Sequence, residues 1–365
     1  MTTAYSVLKT RLKGVLGDTN GVLADHYEEA LQRAARETYP NLFRTLRDQT
    51  LRAGDSLPDS SFEDWPTSAT LRFYTALSGT LAETTTAGLY HGPRSSTSAK
   101  YTAGAANDYF FISSDSFPRL LDLQDKTVSL YCWVYPEVTD DAYIVIYTKQ
   151  NDSAATTQTL TSETTCYAGV WTLLKLENQS LNSDLDEIQI RLKVATNGKY
   201  VYFDEAFLGG LNSEIYLPTD FQTGVISNVG VQTRVGDLDD PNISGQIEPL
   251  FGTEPTYDGT YRFLRIPEGY NKKRIELNGY TVLEDTLDDD AETMSIDDPQ
   301  TDLLVRYAAY LCNDMHRGVV GTDDISRLDY EAKRHKDEYD DNLRLRGTRT
   351  SMMITCIRSL SQNPR

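Results

Sequence analysis

Tyr143 and Tyr147 stand four residues apart in the run YIVIYTK (143–149). In an extended chain alternate side chains share a face, so this spacing turns both rings the same way. Paired aromatic rings on a sheet can stack against sugar rings, although the same residue types also serve ordinary packing. No constellation for catalysis accompanies them. The sequence has no G-x-S-x-G elbow, no phosphate loop of the form G-x-x-x-x-G-K-[ST], no G-x-G-x-x-G after a strand and no E-x-D-x-x-E. The acidic neighbours Asp186/Glu187 and Asp204/Glu205 point to opposite faces of a regular strand, so neither pair can flank one bond. Cys132, Cys166, Cys312 and Cys356 form no C-x-x-C pair, and His26, His91, His316 and His335 lack metal-site spacing. The expected chemistry is binding or assembly, not catalysis, with reduced thiols and no zinc.

The formal charge of −19 opposes binding to a polyanion, because DNA affinity comes largely from basic side chains that displace counterions. The charge is unevenly spread. Glu284 to Asp298 holds eight carboxylates and no basic residue, whereas Arg344 to Arg365 holds five arginines and no carboxylate. These two stretches should attract different partners. No apolar run reaches the length of a membrane span, and MTTAYSVLKTRLKG lacks the apolar core and cleavage site of a signal peptide, so the expectation is synthesis in a cytoplasm with no membrane partner.

The elements that position these residues change character along the chain. From Thr3 to Gly17, Val7, Leu8, Leu12, Val15 and Leu16 fall at helical spacing, with Gly17 placed for a left-handed cap. Asn20 can cap a second helix carrying Leu23, Tyr27, Ala30, Leu31, Ala34 and Thr38, which Pro40 ends. GDSLPDSS then reads as a linker. Beyond Phe62 the helical period gives way to alternating strands, clearest in TVSLYCWVY (127–135), YIVIYTK, WTLLKLE (171–177), EIQIRLKV (187–194) and KYVYFDEAFL (199–208), a pattern that suits a two-sheet sandwich. A less regular β-rich stretch runs from Asn212 to Asp298. Asp298-Pro299 opens a third helix with Leu303, Leu304, Tyr307, Ala308, Leu311 and Met315, closed by Gly318. Thr322 caps a fourth that lasts to Gly347, and the tail beyond it has no strong period.

Within the β segment, D-S-S-F-E-D-W (59–65), D-L-Q-D-K-T-V-S-L-Y-C-W-V-Y (122–135), G-V-W-T (169–172) and V-Y-F-D-E (201–205) resemble the jelly rolls of carbohydrate-binding modules. The resemblance spans roughly 58–210. It implies an antiparallel β-sandwich, a surface glycan as ligand with Tyr143 and Tyr147 as the stacking candidates, and a structural calcium ion held by Glu63 and Asp204. Trp65, Trp133 and Trp171 fall at positions that belong to the core in such modules. No other cofactor is expected.

The flanking parts resemble a different family, the head-to-tail adaptors of tailed phages. The resemblance rests on D-H-Y-E-E-A-L-Q-R-A-A-R-E-T-Y-P (25–40), I-Y-L-P-T-D-F-Q-T-G-V-I (215–226), Y-R-F-L-R-I-P (261–267) and P-Q-T-D-L-L-V-R-Y-A-A-Y-L (299–311). It implies a structural virion protein at the neck, in a ring, commonly dodecameric, below the portal protein and next to a neck or tail-completion protein. DNA would pass through the ring without specific binding, past an acidic lining for which Asp288, Asp289, Asp290 and Glu292 are candidates. The tail would reach the portal through Arg349, Met352, Met353, Ile354, Ile357, Arg358 and Leu360. The expected architecture is an α+β multidomain chain. Helices of 1–57 and 299–347 and a β-rich region of 211–298 form the adaptor core, 58–210 is an inserted jelly-roll sandwich, and 348–365 is the tail.

Overall fold

The computed structural model describes residues 2–92, 94–150, 158–163, 165–210, 213–232, 246–287, 289–296, 298–318 and 322–361, with the side chains of 298, 299, 322–324 and 345–361 excepted. In chain order the elements are β1 (Thr3–Ala4), α1 (Tyr5–Leu16), α2 (Tyr27–Glu37), β2 (Arg44–Asp48), β3 (Tyr74–Ala76), β4 (Thr80–Thr84), β5 (Ser98–Thr102), β6 (Asp108–Ser113), β7 (Thr127–Pro136), β8 (Ala142–Gln150), β9 (Gln158–Thr161), β10 (Thr172–Ser180), β11 (Leu185–Val194) and β12 (Tyr200–Gly209). They continue with β13 (Glu214–Tyr216), α3 (Thr219–Thr223), β14 (Val225–Gln232), β15 (Ile247–Pro249), β16 (Glu254–Tyr257), β17 (Arg262–Arg265), β18 (Ile275–Thr281), β19 (Thr293–Met294), α4 (Asp298–Arg317) and α5 (Thr322–Ser361). Two compact units result, 1–46 with 280–365, and 47–279.

The first unit joins the two ends of the chain. Tyr5, Leu8 and Leu12 of α1, Ala30, Leu31 and Ala34 of α2, Leu304, Ala308 and Cys312 of α4 and Tyr339 of α5 share one buried core. Val7, expected on the apolar stripe of α1, is instead 42% exposed, and Tyr5 takes its place inside. Gly17 adopts the left-handed cap its position required (φ 63°). The turn into α2 is organised by Asp18, not by Asn20. Its carboxylate accepts the Val22 and Leu23 amides at 2.9 and 2.8 Å and the Tyr27 hydroxyl at 2.6 Å. α5 passes Gly347, the expected stop, and continues to Ser361. A single helix-interior glycine costs only about 1 kcal/mol, and no proline follows until after Ser361. Among the described residues no helix is long and apolar enough to cross a membrane.

The second unit is a sandwich of two five-stranded antiparallel sheets, β10-β7-β12-β5-β4 and β3-β6-β11-β8-β9, with smaller sheets β13-β17-β16 and β15-β14-β18-β2. Alternation builds the core between the large sheets. Leu130, Cys132 and Val134 of β7 meet Ile188, Ile190, Leu192 and Val194 of β11 within one buried cluster. The unit boundaries differ from the expected domain limits at 58 and 211, and the reason is packing. Tyr216 and Phe263 belong to the sandwich core, with Phe117 5.8 Å from Tyr216 and Phe73 5.6 Å from Tyr261 between ring centroids. The β-rich segment up to Gly279 therefore folds with the sandwich and not as a separate part of the helical unit.

Candidate functional site

The outward face of β3-β6-β11-β8-β9 follows from strict pairing. Cα partners in an antiparallel ladder share a face. Arg191 lies opposite Phe111 and Val145, Lys193 opposite Tyr109 and Tyr143, Gln189 opposite Ser113 and Tyr147, and Glu187 opposite Lys149. Because Ile188, Ile190, Leu192 and Val194 fill the core, this other set faces out. A polar row, Glu187-Gln189-Arg191-Lys193, thus runs between two aromatic borders, Tyr109 with Phe111 and Tyr143 with Tyr147.

Side-chain contacts hold the row upright. The Arg191 guanidinium lies 3.7 Å from the Tyr147 ring centroid and 4.7 Å from that of Tyr109, and its Nε donates to Gln189 Oε1 at 2.7 Å. Lys193 Nζ sits 4.9 Å from the Tyr143 centroid. Burial and the neighbouring Arg191 charge hold the Lys193 ammonium below its ordinary pKa. Burial and Asp141 push the Tyr143 hydroxyl up, and that hydroxyl donates to Asn107. All four aromatic side chains are half-buried, their lower parts fixed by the sheet and their upper parts open to solvent. The two tyrosines singled out in the sequence are therefore together. The residues between and beside them, Tyr109, Phe111, Gln189, Arg191 and Lys193, went unnoticed, although the outward positions of EIQIRLKV and DYFFIS carry the signal.

The outward face of β10-β7-β12-β5-β4 is covered in part. His91 stacks on Trp133 at 3.9 Å, and Trp171, half-buried, lies 5.6 Å from Tyr135. Trp65 packs against the core and donates to the Phe62 carbonyl at 2.7 Å. Beneath this cover a β-bulge with Glu205 in the left-handed region (φ 46°) interrupts the alternation of β12. Glu205, fully buried, takes Arg52 Nη2 at 2.6 Å and Arg274 Nη2 at 2.5 Å. Burial alone would raise its pKa, but the two guanidiniums outweigh that and hold it below the ordinary carboxylate range. Among the described residues Asp204 has no such partner. Burial and the Glu205 charge push it well up, opposed by the His91 and Glu205 amides.

Glu63 and Asp204 accept hydrogen bonds from nearby stretches of chain, Glu63 from residues 95–97 and Asp204 from His91. Glu63 accepts the amides of Ser96 and Thr97 at 2.7 and 3.2 Å and the Ser95 hydroxyl at 2.9 Å, while Asp204 accepts the His91 amide at 2.6 Å. Oxygens that already receive hydrogens are poor ligands for a cation that wants six to eight of them. Among the described residues no group of three or more His, Cys, Asp or Glu is placed to hold a metal. The donor set does not fit calcium, and the two carboxylates brace these stretches of chain instead.

The remaining candidates lie in the helical unit. Asp289, Asp290 and Glu292 are exposed, and Asp290 pairs with Lys9 at 3.0 Å, while Asp288 is outside the described residues. Arg349, Met352, Met353, Ile354, Ile357, Arg358 and Leu360 fall on α5, and their side chains are outside the described residues.

No protein-family model matches the chain, and no curated protein matches it. Among solved structures it is similar to the C-terminal family 22 carbohydrate-binding module of Clostridium thermocellum Xyn10B (16% identity, TM-score 0.34, 43% of this chain and 93% of that one). It is also similar to the CBM22-1 xylan-binding domain of Paenibacillus barcinonensis Xyn10C (15%, 0.32, 45% and 96%). A third is the enzymatically active domain of bacteriophage CBA120 tailspike protein 4 (11%, 0.31, 43% of this chain and 22% of that one).

Proposed function

We propose that this chain is a glycan-binding protein and that the outward face of β3-β6-β11-β8-β9 takes the sugar. The observation that carries the reading is the row Gln189-Arg191-Lys193 set between Tyr109 and Phe111 on one side and Tyr143 and Tyr147 on the other. Rings with an exposed upper part offer apolar surface for the C–H faces of a pyranose, and the polar row offers hydrogen bonds at its edges. The function is recognition without bond-making. Affinity electrophoresis through gels containing soluble polysaccharide tests it. The full chain should be retarded by at least one polymer and the double variant Y143A/Y147A should run freely; free migration of the unaltered chain in every gel would end the proposal.

A second reading places this module in a virion. Its support is the helical unit built from both ends of the chain, the arrangement implied by resemblance to a ring-forming head-to-tail adaptor with a guest domain. On this reading the partners are the portal protein and a neck or tail-completion protein, and the sandwich decorates the neck. Native mass measurement decides. A ring of about a dozen copies supports the adaptor, and a monomer or dimer removes it.

A further inference from the structure

Arg191 and Lys193 stand out in a chain whose formal charge is −19. Other arginines of the same unit sit on carboxylates: Arg72 on Asp64 at 2.7 Å, Arg119 on Asp122 at 3.3 Å, Arg265 on Glu214 at 3.0 Å. On the outward face the pattern breaks. Lys149, Arg191 and Lys193 share it with one acid, Glu187, and neither Arg191 nor Lys193 has a carboxylate within ion-pair distance among the described residues. A guanidinium carries five N–H donors. Arg191 commits one, Nε, to Gln189, and the four on Nη1 and Nη2 meet no acceptor among the described residues.

Cations gathered without counter-charge cost self-repulsion, and burial together with the Arg191 charge lowers the pKa of Lys193. Their environment nevertheless fixes them. Tyr147 and Tyr109 lie against the Arg191 guanidinium, at 3.7 and 4.7 Å, so it loses little further freedom on meeting a ligand. A planar fork with free donors matches a carboxylate, which it can bind with two parallel hydrogen bonds, and the ammonium of Lys193 adds a second positive point on the same row. We infer that the ligand of this face is an acidic glycan whose sugar carboxylates are read by Arg191 and Lys193 while Tyr143 and Tyr147 hold the ring faces. The inference rests on the glycan-binding reading and narrows it to one substrate class.

The test uses the full chain in affinity gels containing polygalacturonate, alginate, hyaluronan or polysialic acid, beside methyl-esterified polygalacturonate and neutral arabinoxylan. At least one acidic polymer should retard the chain about tenfold more strongly than the neutral gels, the factor expected from one charge-assisted hydrogen-bonded contact. The preference should weaken as sodium chloride screens the pair. R191Q and K193Q, singly and together, should lose the preference while keeping the unaltered melting temperature, and R191K should restore it only in part. Equal retardation by acidic and neutral gels, or a preference that survives R191Q/K193Q, overturns this inference and leaves the glycan reading intact. Free migration in all six gels overturns both.

Discussion

On the sheet β10-β7-β12-β5-β4, His91 stacks on a half-buried Trp133, and Glu205 is clasped by Arg52 and Arg274 out of water. On the sheet β3-β6-β11-β8-β9, Arg191 and Lys193 stand half-exposed between tyrosines with donors to spare. Both faces carry aromatic and charged residues, so composition does not separate them. What separates the Glu205 cluster from the Arg191-Lys193 row is that its guanidiniums are answered by a carboxylate of the chain. A covered face must neutralise its charges, because an unpaired buried ion costs several kcal/mol, whereas an open face can leave them to water or to a ligand. On the glycan-binding reading, the first cluster serves structure and the open face serves recognition.

The strongest way to break that contrast is to attack the clasp. Glu205→Gln removes the charge that compensates two buried guanidiniums and should destabilise the unit by about 3–5 kcal/mol, the usual result of breaking one side of a buried ion pair. Urea denaturation measures it. A loss below about 1 kcal/mol, the level of a surface pair, would mean that Arg52 and Arg274 are hydrated and that this face is not sealed.

Titration should also tell buried groups from open ones. Asp59, buried and near the charges of Asp64 and Glu63, is pushed up to about 7. Its folded pKa lies above its unfolded value, so its contribution to stability is fully present below about pH 4 and is lost as pH rises through 7. Asp59→Asn cannot ionise. Relative to the unaltered chain, its stability should therefore improve between pH 4.5 and pH 8 by about 1.4 kcal/mol or more, the equivalent of one pKa unit. Thermal melts at the two pH values read this directly, and a constant difference would show that Asp59 is already solvated. Tyr147→Ala, on the open face, should cost under about 1 kcal/mol, since it removes a half-exposed ring and one cation–π contact. Its effect belongs in polysaccharide retention, not in the melt.

Much of this architecture is legible in the sequence because it is written in period. The strands from Thr127 to Gly209 and the core positions of α1, α2 and α4 follow alternation or helical spacing, and Gly17 announces its own cap. Tyr143 and Tyr147 are visible for the same reason, being four apart on one strand. Their partners are not, because Tyr109, Arg191 and Lys193 come from strands distant in sequence, and only the register of β6-β11-β8 brings them together. Period also misleads where the backbone departs from it. The bulge at Glu205 interrupts the alternation of β12, and Gly347 looks like a stop only until α5 runs past it. The place of residues 211–279 was hidden for a further reason: Tyr216 and Phe263 read as ordinary strand residues, and nothing local says whose core they enter.

The smallest expected effect concerns the covered face and calcium. Resemblance to carbohydrate-binding modules implies the ion at Glu63 and Asp204, whereas here the Ser95 hydroxyl and the amides of Ser96 and Thr97 point their hydrogens at Glu63, and the His91 amide points its own at Asp204. For calcium to bind, those donors at His91 and 95–97 would have to turn away, so the free energy of binding would be spent on reorganisation. Millimolar calcium, or EDTA, should therefore leave the melting temperature unchanged. Any ion that bound the folded chain alone at a hundred times its Kd would add about 2.7 kcal/mol, which a melt resolves easily. A rise of that size would mean that these donors turn away to admit the ion and that the covered face is held partly by metal. Full insensitivity leaves its stability to hydrogen bonds and the arginine clasp, as the contrast between the two faces requires.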